Sequence, residues 1–283
     1  MAQDFTLHTH TDIFDGKNTV SEMAQRAKDL GMSAIGISNH FIVHPDICDA
    51  QFYPFAVRGG YANMYHTTFA DTIRDFTTNY AEIDQAATQS GTRILRGMEV
   101  DYFHTPAWYR GFTRAIKILR PDYIIGSCHF IEYGGRLCNV HDMAMANDVD
   151  RAAMLKLYWD KIAQAASSGL FTFMAHLDLP KKVGLGCSVV AQDAQDRALD
   201  IISRNKTPLE INTSGIKQCG AMYPSAQILE RVAQENIPVL ISDDAHHVSQ
   251  IGRHFDVARA LAQDYRIKNF LTLNTLRLDE KNR

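Results

Sequence analysis

Short apolar runs alternate with longer polar or amphipathic stretches along the whole chain. Seven of these runs are rich in β-branched or aromatic residues: FTLHTHT, SAIGISNH, RILRGMEVDY, YIIGSCHF, FTFMAHLDL, PLEINTSG and PVLISDDAH. Strands that alternate with helical crossovers are typical of βα units and a parallel sheet. The 283 residues suffice for one large α/β domain or for two smaller ones, and a single α/β barrel is often this long.

Several stretches between the runs have the periodicity of amphipathic helices. In TVSEMAQRAKDLG, apolar residues recur at helical spacing and a glycine ends the pattern: Val20, Met23, Ala24, Ala27, Leu30 and Gly31. RAAMLKLYWDKIAQAASSG and SAQILERVAQENI predict two further helices in the same way.

The stretch from about His44 to Gly91 is longer than one crossover needs. It contains a Gly-Gly pair at 59–60, several aromatic residues and a polar helical pattern from about Thr67 to Ala87. Long connections of this kind are commonly functional. We expect this stretch to form an extra helix or a flap over one end of the barrel.

Composition places the protein among ordinary globular proteins. The chain is 46% hydrophobic and 22% charged, with a formal net charge of −3. No basic run stands out, which argues against a nucleic-acid partner. No apolar stretch reaches the ~20 residues needed to cross a bilayer, and the start lacks the pattern of a signal peptide. We therefore expect no membrane partner and a cytoplasmic location.

The cysteines do not indicate a disulfide framework or a thiolate metal site. No CxxC pair occurs, and the spacings are wide and irregular among Cys48, Cys128, Cys138, Cys187 and Cys219. We expect reduced thiols.

Residues that can bind metal follow the apolar runs. Six of the seven runs end in histidine or in an acidic residue, and the residues concerned are His8, His10, His40, Glu99, His129, His176, Asp244 and His246. In a parallel barrel the carboxyl ends of all strands lie at one face, so these side chains should converge there. His8 and His10 also point to the same side of their strand, about 6–7 Å apart.

Imidazole and carboxylate ligands without thiolates suit Zn²⁺, Fe²⁺ or Mn²⁺. The candidates are too many for one ion, so we expect two to three divalent ions, with Glu99 able to bridge two of them. Paired metals about 3.5–4 Å apart are the usual arrangement for hydrolysing phosphate esters.

Six ordered motifs resemble those of the polymerase and histidinol phosphatase (PHP) family: HTHTDIFDG, SNH, MEVD, GSCH, AHLD and SDDAH. NTSG, YPS and SDDAHHVSQIG resemble its histidinol-phosphatase branch more narrowly, and the similarity extends from His8 to about Ala258. The resemblance implies an α/β fold, a distorted (β/α)7 TIM-like barrel with a trinuclear metal site at the carboxyl ends of its strands. It also implies one domain over residues 1–283, with the insertion at about 44–91.

Carried over to this sequence, the family pattern implies three sets of ligands. His8, His10, Glu99 and Asp244 would hold one metal; Glu99 would bridge to a second metal at His129 and His176; Asp15, His40 and His246 would hold the third. In this register Asp243 occupies the position of a serine in the family motif. The Asp15-Gly16 pair predicts a turn that swings the carboxylate of Asp15 back over the site.

The implied activity is that of a metal-dependent phosphatase that converts L-histidinol phosphate to L-histidinol and phosphate, in histidine biosynthesis. Glu99, Asp244 and His246 are the expected catalytic residues. Candidates for binding substrate or its phosphate are Lys17, Lys181, Lys182, Lys217 and His44. Histidinol phosphatases often have arginine after NTSG, whereas this chain has Lys217, which keeps the charge but loses the bidentate fork. The acid that protonates the leaving group stays open between water at the metals and Asp243.

Three alternatives are consistent with the residues alone. One is a phosphoesterase of the same family that acts on a sugar phosphate or a nucleotide. Another is an amidohydrolase-like metal barrel, although that class commonly has a carbamylated lysine where this chain has Glu99. The third is a metal-binding module without turnover. The remaining histidines are expected to contact solvent or to support the ligands: His66, His104, His141, His247 and His254.

Overall fold

The computed structural model describes residues 3–186, 189–276 and 278. The strands in chain order are β1 (Phe5–Thr6), β2 (Ala34–Ile37), β3 (His40–Val43), β4 (Tyr65–His66), β5 (Ile94–Arg96), β6 (Glu99–Asp101), β7 (Ile125–Ser127), β8 (Phe130–Tyr133), β9 (Arg136–Asn139), β10 (Phe173–Met174), β11 (Leu209–Asn212) and β12 (Val239–Ser242). All seven predicted apolar runs contain at least one of these strands.

The α-helices are α1 (Val20–Asp29), α2 (Tyr53–Gly59), α3 (Phe69–Ser90), α4 (Pro106–Leu119), α5 (Val140–Met145), α6 (Asp148–Ser167), α7 (Gln192–Asn205), α8 (Gly215–Cys219), α9 (Ala226–Gln234) and α10 (Phe255–Asp264). The three helices predicted from periodicity are observed as α1, α6 and α9. Thr19 begins α1 through a reciprocal capping interaction with Glu22. Within the described residues, no helix is long and apolar enough to span a membrane.

The fold is α/β with mostly parallel strands, as the alternation of runs predicts. Seven strands form the larger sheet, in the order β12-β11-β10-β7-β6-β3-β4, and β1-β2-β5 form a smaller one. Every pairing within these two sheets is parallel. β8 and β9 form a separate antiparallel hairpin.

Two of the predicted runs pass from the smaller sheet into the larger one. SAIGISNH is divided into β2 and β3, and RILRGMEVDY into β5 and β6. β2 pairs with β5 in one sheet, whereas β3 pairs with β6 in the other. Backbone hydrogen bonds from Gly97 to Ile37 (2.8 Å) and from Glu99 to Asn39 (3.1 Å) connect the two runs across the break.

A buried tyrosine explains the glycines near this break. A Cβ atom at Gly36 would lie 2.1 Å from the hydroxyl of Tyr123, and one at Gly97 would lie 2.2 Å from its ring. Tyr123 is almost fully buried and donates a hydrogen bond of 2.6 Å to the carbonyl of Leu7. The two glycines therefore make room for an aromatic side chain that joins three strands.

The expected barrel is not seen as one continuous closed sheet in the described residues. Between β12 and the first run the connection is a single bridge, Thr9 to Ala245, with backbone hydrogen bonds of 2.8 and 3.1 Å on either side of it. Regular pairing of β1 stops at Thr6, just before the histidines. The residues that follow β1, His8 and His10, thus lie outside the regular strand pairing.

The long connection after β3 contains two kinds of structure. α3 is a regular crossover helix, because Phe76, Tyr80 and Ile83 are buried in the core. The additional part is shorter than expected and comprises residues 47–66, with α2, β4 and two single-turn 3-10 helices. The described cysteines are free thiols, whereas Cys187 lies outside the described residues.

Candidate metal centre

The candidate ligands named from the sequence lie together, although not all of them at the carboxyl end of a strand. His8 and His10 follow β1, and His40 and Glu99 begin β3 and β6 after the breaks in their runs. Four sets place their ligand atoms within 4.8 Å of one another in the described chain: His10, Asp15, His40 and His246; His8, His10 and Asp244; His8, Glu99 and His176; and His40, Glu99 and His129.

Glu99 lies between two groups of histidines. Its Oε2 is 2.8 Å from Nδ1 of His40, 3.4 Å from Nε2 of His8 and 3.6 Å from Nε2 of His10. Its Oε1 is 3.5 Å from Nε2 of His129 and 2.9 Å from Nε2 of His176. The two oxygens thus face different ligands, which is the geometry that a bridging carboxylate requires.

The spacing of these atoms is that of ligands around a shared ion. Donor atoms that bind one tetrahedral Zn²⁺ at 2.0–2.1 Å are about 3.3 Å apart. Nε2 of His10 is 3.3 Å from Oδ1 of Asp244, and Nε2 of His8 is 3.6 Å from the same oxygen. Several buried atoms of the centre have no hydrogen-bond partner: His8 Nε2, His10 Nδ1 and Nε2, Asp15 Oδ1 and His176 Nδ1. Since buried polar atoms are almost always satisfied, these residues fit divalent metal ions.

Asp15 faces His40 and His246. Its Oδ2 is 3.4 Å from Nε2 of His40 and 3.1 Å from Nε2 of His246. Glycine is needed at position 16 because the turn leaves no room for a side chain, and not because the backbone is left-handed. A Cβ there would lie 2.6 Å from the carbonyl oxygen of His10. The rings of His10 and His246 stack with centroids 4.1 Å apart. This set differs from the implied third set by the addition of His10.

The two aspartates after β12 have different surroundings. Asp244 has a left-handed backbone with φ of 49°, a strained conformation typical of functional sites, and turns its carboxylate toward His8 and His10. Asp243 accepts hydrogen bonds from Thr6 (2.9 Å) and from the backbone of Gly252 (2.6 Å). Burial raises the pKa of Asp243 to about 7. Asp243 is not among the residues that line the cavity described below.

Glu210 is a functional candidate that our sequence reasoning missed. Its Oε2 is 2.9 Å from Nδ1 of His8, and its Oε1 accepts hydrogen bonds from the backbone of His176 (2.6 Å) and from Asn212 (2.7 Å). Glu210 therefore orients His8 so that Nε2 faces the centre. The sequence does contain a signal for Glu210, which is a carboxylate inside the apolar run PLEINTSG. A charge buried in a strand needs a partner, so such a residue is a candidate for a functional contact.

Asp101 supports His129 in the same manner. Its Oδ2 is 2.8 Å from Nδ1 of His129, and its carboxylate also accepts from the backbone amide of that residue. Asp101 occupies the last position of the MEVD motif, which we noted without giving this residue a role.

Buried charges shift the pKa values of the centre in both directions. Burial lowers the pKa of His8, but Glu210 and Glu99 outweigh it and hold that pKa well above its ordinary value. Burial raises the pKa of Glu99, but His40 and His8 outweigh it and hold that pKa well below its ordinary value. Burial, with His246 and His40 nearby, lowers the pKa of His10 to about 4.

A cavity of about 1040 Å³ opens onto the centre. Asp15, His40, Glu99, His129, His176, Asp244 and His246 line its base. An aromatic and apolar wall comes from the connection after β3 and comprises Phe52, Phe55, Tyr61, Met64 and Tyr65. A second part of the lining comes from the β8–β9 hairpin and the two helices that follow, and includes Tyr133, Arg136, His141, Asp142 and Met145.

Only some of the predicted phosphate-binding residues adjoin this cavity. Lys182 lines it, whereas Lys17, Lys217 and His44 are not among its lining residues. His44 is buried and its Nε2 is 2.9 Å from Oε1 of Glu132. Lys181 is also engaged elsewhere, since its ammonium lies over the ring of Tyr223.

Arg136 is the cavity cation that our sequence reasoning did not single out. It follows Gly134 and Gly135, whose positive φ values of 58° and 74° form the tight turn of the β8–β9 hairpin. Its position depends on this hairpin, which no periodicity in the sequence indicated.

Of the other histidines, three are exposed as expected: His104, His247 and His254. His66 differs from the expectation, because it is buried and its Nε2 is 2.9 Å from Asp75, which is not a candidate ligand. His141 is exposed, but it also lines the cavity.

Comparison with known proteins agrees with the six motifs. The model of the PHP domain family matches residues 4–214. A Deinococcus radiodurans protein named "probable histidinol-phosphatase" is 27% identical over 253 residues, which cover 88% of each chain.

Two solved structures share the fold. One is a Listeria monocytogenes protein described as a histidinol phosphatase, with a TM-score of 0.69, 21% identity, and coverage of 89% of this chain and 99% of that one. The other is the histidinol phosphate phosphatase of Lactococcus lactis, solved with zinc, L-histidinol and phosphate, with a TM-score of 0.72, 14% identity, and coverage of 99% of this chain and 100% of that one. Asp244 and His246 lie beyond the matched range and complete the same centre. The match over most of the chain shows that this protein is a member of the PHP family.

Proposed function

We propose that this protein is a metal-dependent phosphomonoesterase that hydrolyses L-histidinol phosphate to L-histidinol and phosphate. The observation that carries the proposal is the set of buried imidazole and carboxylate atoms around Glu99, which lack hydrogen-bond partners and are spaced as ligands. The names of the Deinococcus and Lactococcus relatives support the choice of substrate. Oxidation of the product alcohol gives histidine, so we assign the reaction to histidine biosynthesis.

The ligands proposed are His8, His10, Asp15, His40, Glu99, His129, His176, Asp244 and His246. They would hold two to three divalent ions, and nitrogen and oxygen donors without thiolate suit Zn²⁺, Mn²⁺ or Fe²⁺. Such ions lower the pKa of bound water and neutralise charge on phosphoryl oxygens.

The roles of the protein residues follow from their positions. Glu99 contacts His8, His10 and His40 through one oxygen and His129 and His176 through the other. Asp244 and His246, at the end of one strand, belong to different sets and so hold the two sides of the centre together. These three residues contact the reacting region and are the proposed catalytic residues.

Charge complementarity favours a small anionic substrate. A phosphate monoester at neutral pH carries nearly two negative charges, and Lys182 and Arg136 line the cavity above the centre. We propose Lys182 as a phosphate ligand, in preference to Lys17, Lys217 and His44. The aromatic part of the lining, together with Asp142, suits a flat cationic group such as an imidazolium.

We further propose that the strands form a distorted (β/α)7 barrel within one domain over residues 1–283. The support for closure is the bridge between Thr9 and Ala245, which joins the last run to the first. If β2 is counted with β3, β5 is counted with β6 and the edge strand β4 is left out, the two parallel sheets contain seven runs, the number that the family pattern implies.

A second candidate is a phosphoesterase of this family with a larger substrate, such as a sugar phosphate or a nucleotide. The cavity volume favours it, since about 1040 Å³ is at the upper end of the range for small-molecule sites.

The test is a panel of phosphate monoesters assayed with the purified protein, in which metals are quantified in the same sample. We expect several equivalents of metal, loss of activity on chelation, and the highest kcat/KM for histidinol phosphate. Preference for a sugar phosphate or nucleotide would select the second candidate. Bound metal without turnover of any ester would instead indicate a metal-binding module.

A further inference from the structure

We propose that Lys161, on α6, is a positioning residue for the half of the metal centre that contains His129. The inference rests on the proposed function, because it concerns how that centre is held. Lys161 approaches from a helix outside the sheet, and its side chain is 11% exposed. Its ammonium lies 2.6 Å from the carbonyl oxygen of Phe130 and 3.9 Å from the centroid of the Phe103 ring.

The ammonium of Lys161 also contacts Asp101. Its Nζ lies 3.3 Å from Oδ1 of Asp101, a residue that is completely buried. The other oxygen, Oδ2, is 2.8 Å from Nδ1 of His129. Because one oxygen faces the ammonium and the other faces the imidazole, the carboxylate is fixed in one orientation.

This orientation determines which nitrogen of His129 faces the centre. A proton on Nδ1 is held by Asp101, so Nε2 carries the free lone pair and lies 3.5 Å from Glu99 Oε1. A lysine ammonium is costly to bury unless it is paired, and the position of Lys161 between Asp101 and Phe130 satisfies it. The chain of contacts therefore runs from α6 through Lys161, Asp101 and His129 to Glu99.

The other half of the centre is supported without a lysine. The carboxylate of Glu210, which orients His8, accepts hydrogen bonds from Asn212, from Ser242 and from the backbone of His176. Glu210 thus supports His8 through its side chain and His176 through its backbone, whereas Lys161 and Asp101 support His129. Loss of Lys161 should therefore weaken the binding step that uses His129 more than the step that uses His8 and His10.

The experiment titrates metal-stripped full-length protein with Zn²⁺, with equivalents counted by elemental analysis. The first variant is Lys161→Met. If it does not fold, Lys161→Gln replaces it, because the glutamine amide can still donate a hydrogen bond to the Phe130 carbonyl. Lys156→Met on the exposed face of the same helix is the matched control. We expect one binding step to weaken by about 10–100-fold in the Lys161 variants, the usual effect of losing a residue that supports a ligand. Lys161→Arg should restore much of that affinity.

A second measurement does not depend on metal. ¹⁵N NMR of the histidine rings in metal-stripped protein should report the Nδ1–H tautomer of His129 in the unsubstituted protein and a mixture in Lys161→Gln. Unchanged zinc affinity at every step together with an unchanged tautomer would overturn the inference. Equal weakening of all steps with a lower unfolding temperature would also overturn it, since that is a general structural effect. If the unsubstituted protein binds less than one equivalent, the proposed function fails, and the tautomer still decides the role of Lys161.

Discussion

At the scale of single residues, Glu99 is the residue that contacts most of the candidate ligands. Five imidazoles approach its two oxygens, and Ser127 donates a hydrogen bond of 2.6 Å to Oε1. A fully buried carboxylate is stable only where cations or metal ions compensate it. Glu99 is therefore the residue whose substitution should affect both halves of the centre.

Replacing Glu99 with glutamine should weaken metal binding on both sides at once. The amide keeps the shape but offers a single weak oxygen ligand, so we expect kcat/KM to fall by more than about 100-fold. The measurements are phosphatase kinetics and metal content. His104→Ala is the control, since His104 is exposed and bonded only to Tyr102 in the described contacts. Near-normal activity in Glu99→Gln would exclude the bridging role.

Removal of the Glu210 carboxylate tests a residue outside the predicted ligand set. In Glu210→Ala, Nδ1 of His8 loses its partner at 2.9 Å, so the ring is free to turn. We expect zinc affinity to fall by about 10–100-fold and activity to recover partly at high zinc concentration. Zinc titration monitored by calorimetry would measure this change. Unaltered affinity would mean that strand geometry alone orients His8.

Substitution can test whether Lys182, which lines the cavity, binds the phosphate in preference to Lys17 and Lys217. Neutralising Lys182 to methionine should cost about 1.5–3 kcal/mol, roughly 10- to 150-fold in kcat/KM for histidinol phosphate. Lys17→Met and Lys217→Met should have little effect, and metal content should stay constant in all three variants. Should Lys217→Met be the one that loses activity, and Lys217→Arg retain it, then the NTSG segment binds the phosphate instead.

At the scale of elements, the breaks within two strands are part of the site. Both breaks end just before a candidate ligand, since His40 begins β3 and Glu99 begins β6. Tyr123 lies against Gly36 and Gly97 beneath these breaks. The tyrosine and the two glycines therefore position the strand ends that carry the ligands.

Addition of a methyl group at Gly36 should disturb this arrangement. Overpacking a buried site typically costs about 1–3 kcal/mol, so Gly36→Ala should lower the free energy of unfolding by that amount. Chemical denaturation provides the measurement. Gly186→Ala is the control, because a Cβ there would meet Lys181 only at an ordinary distance of 3.4 Å. Equal stability of the two variants would show that Tyr123 moves aside without cost.

At the scale of the whole molecule, the centre joins distant parts of the chain. Asp15 near the start contacts His246 near the end, and Glu99 contacts residues from four strands. Metal binding should thus stabilise the fold as a whole, because the ions bind the native arrangement and not the unfolded chain.

The stability of chelated protein should depend on pH with a definite sign. Despite burial, nearby carboxylates raise the pKa of His8, His40, His176 and His246, whereas burial lowers that of His10 to about 4. Each raised pKa adds stability that is present below ~6.5 and is lost as pH rises through the raised value. The pKa values of Asp15, Glu99 and Asp244 are lowered, and they have the opposite effect on stability. The stability that they add is present above pH ~4 and is lost as the pH falls below it.

We therefore expect the Tm of chelated protein to fall as the pH is raised from about 6.5 to about 8.5. Zinc, which binds neutral imidazole, should give a Tm increase that grows over the same range. Calorimetric scans with chelator and with zinc measure both trends. A zinc effect that is independent of pH would contradict the assignment of these histidines as ligands.

The sequence by itself determined the α/β class, three of the helices and the identity of the residues that meet at the centre. It could do so because strand periodicity and strand-end polarity are local, and because parallel strands bring their carboxyl ends to one face. Glu210, Asp101 and Lys161 required the tertiary structure, since a hydrogen-bond partner on another element leaves no periodic signal. The tertiary structure also decided three further features. They are the β8–β9 hairpin with Arg136, the placement of Lys182 rather than Lys217 at the cavity, and the breaks in the strands around Tyr123. Each depends on which surfaces pack together, and packing across 60 to more than 200 residues of sequence is a property of the folded chain alone.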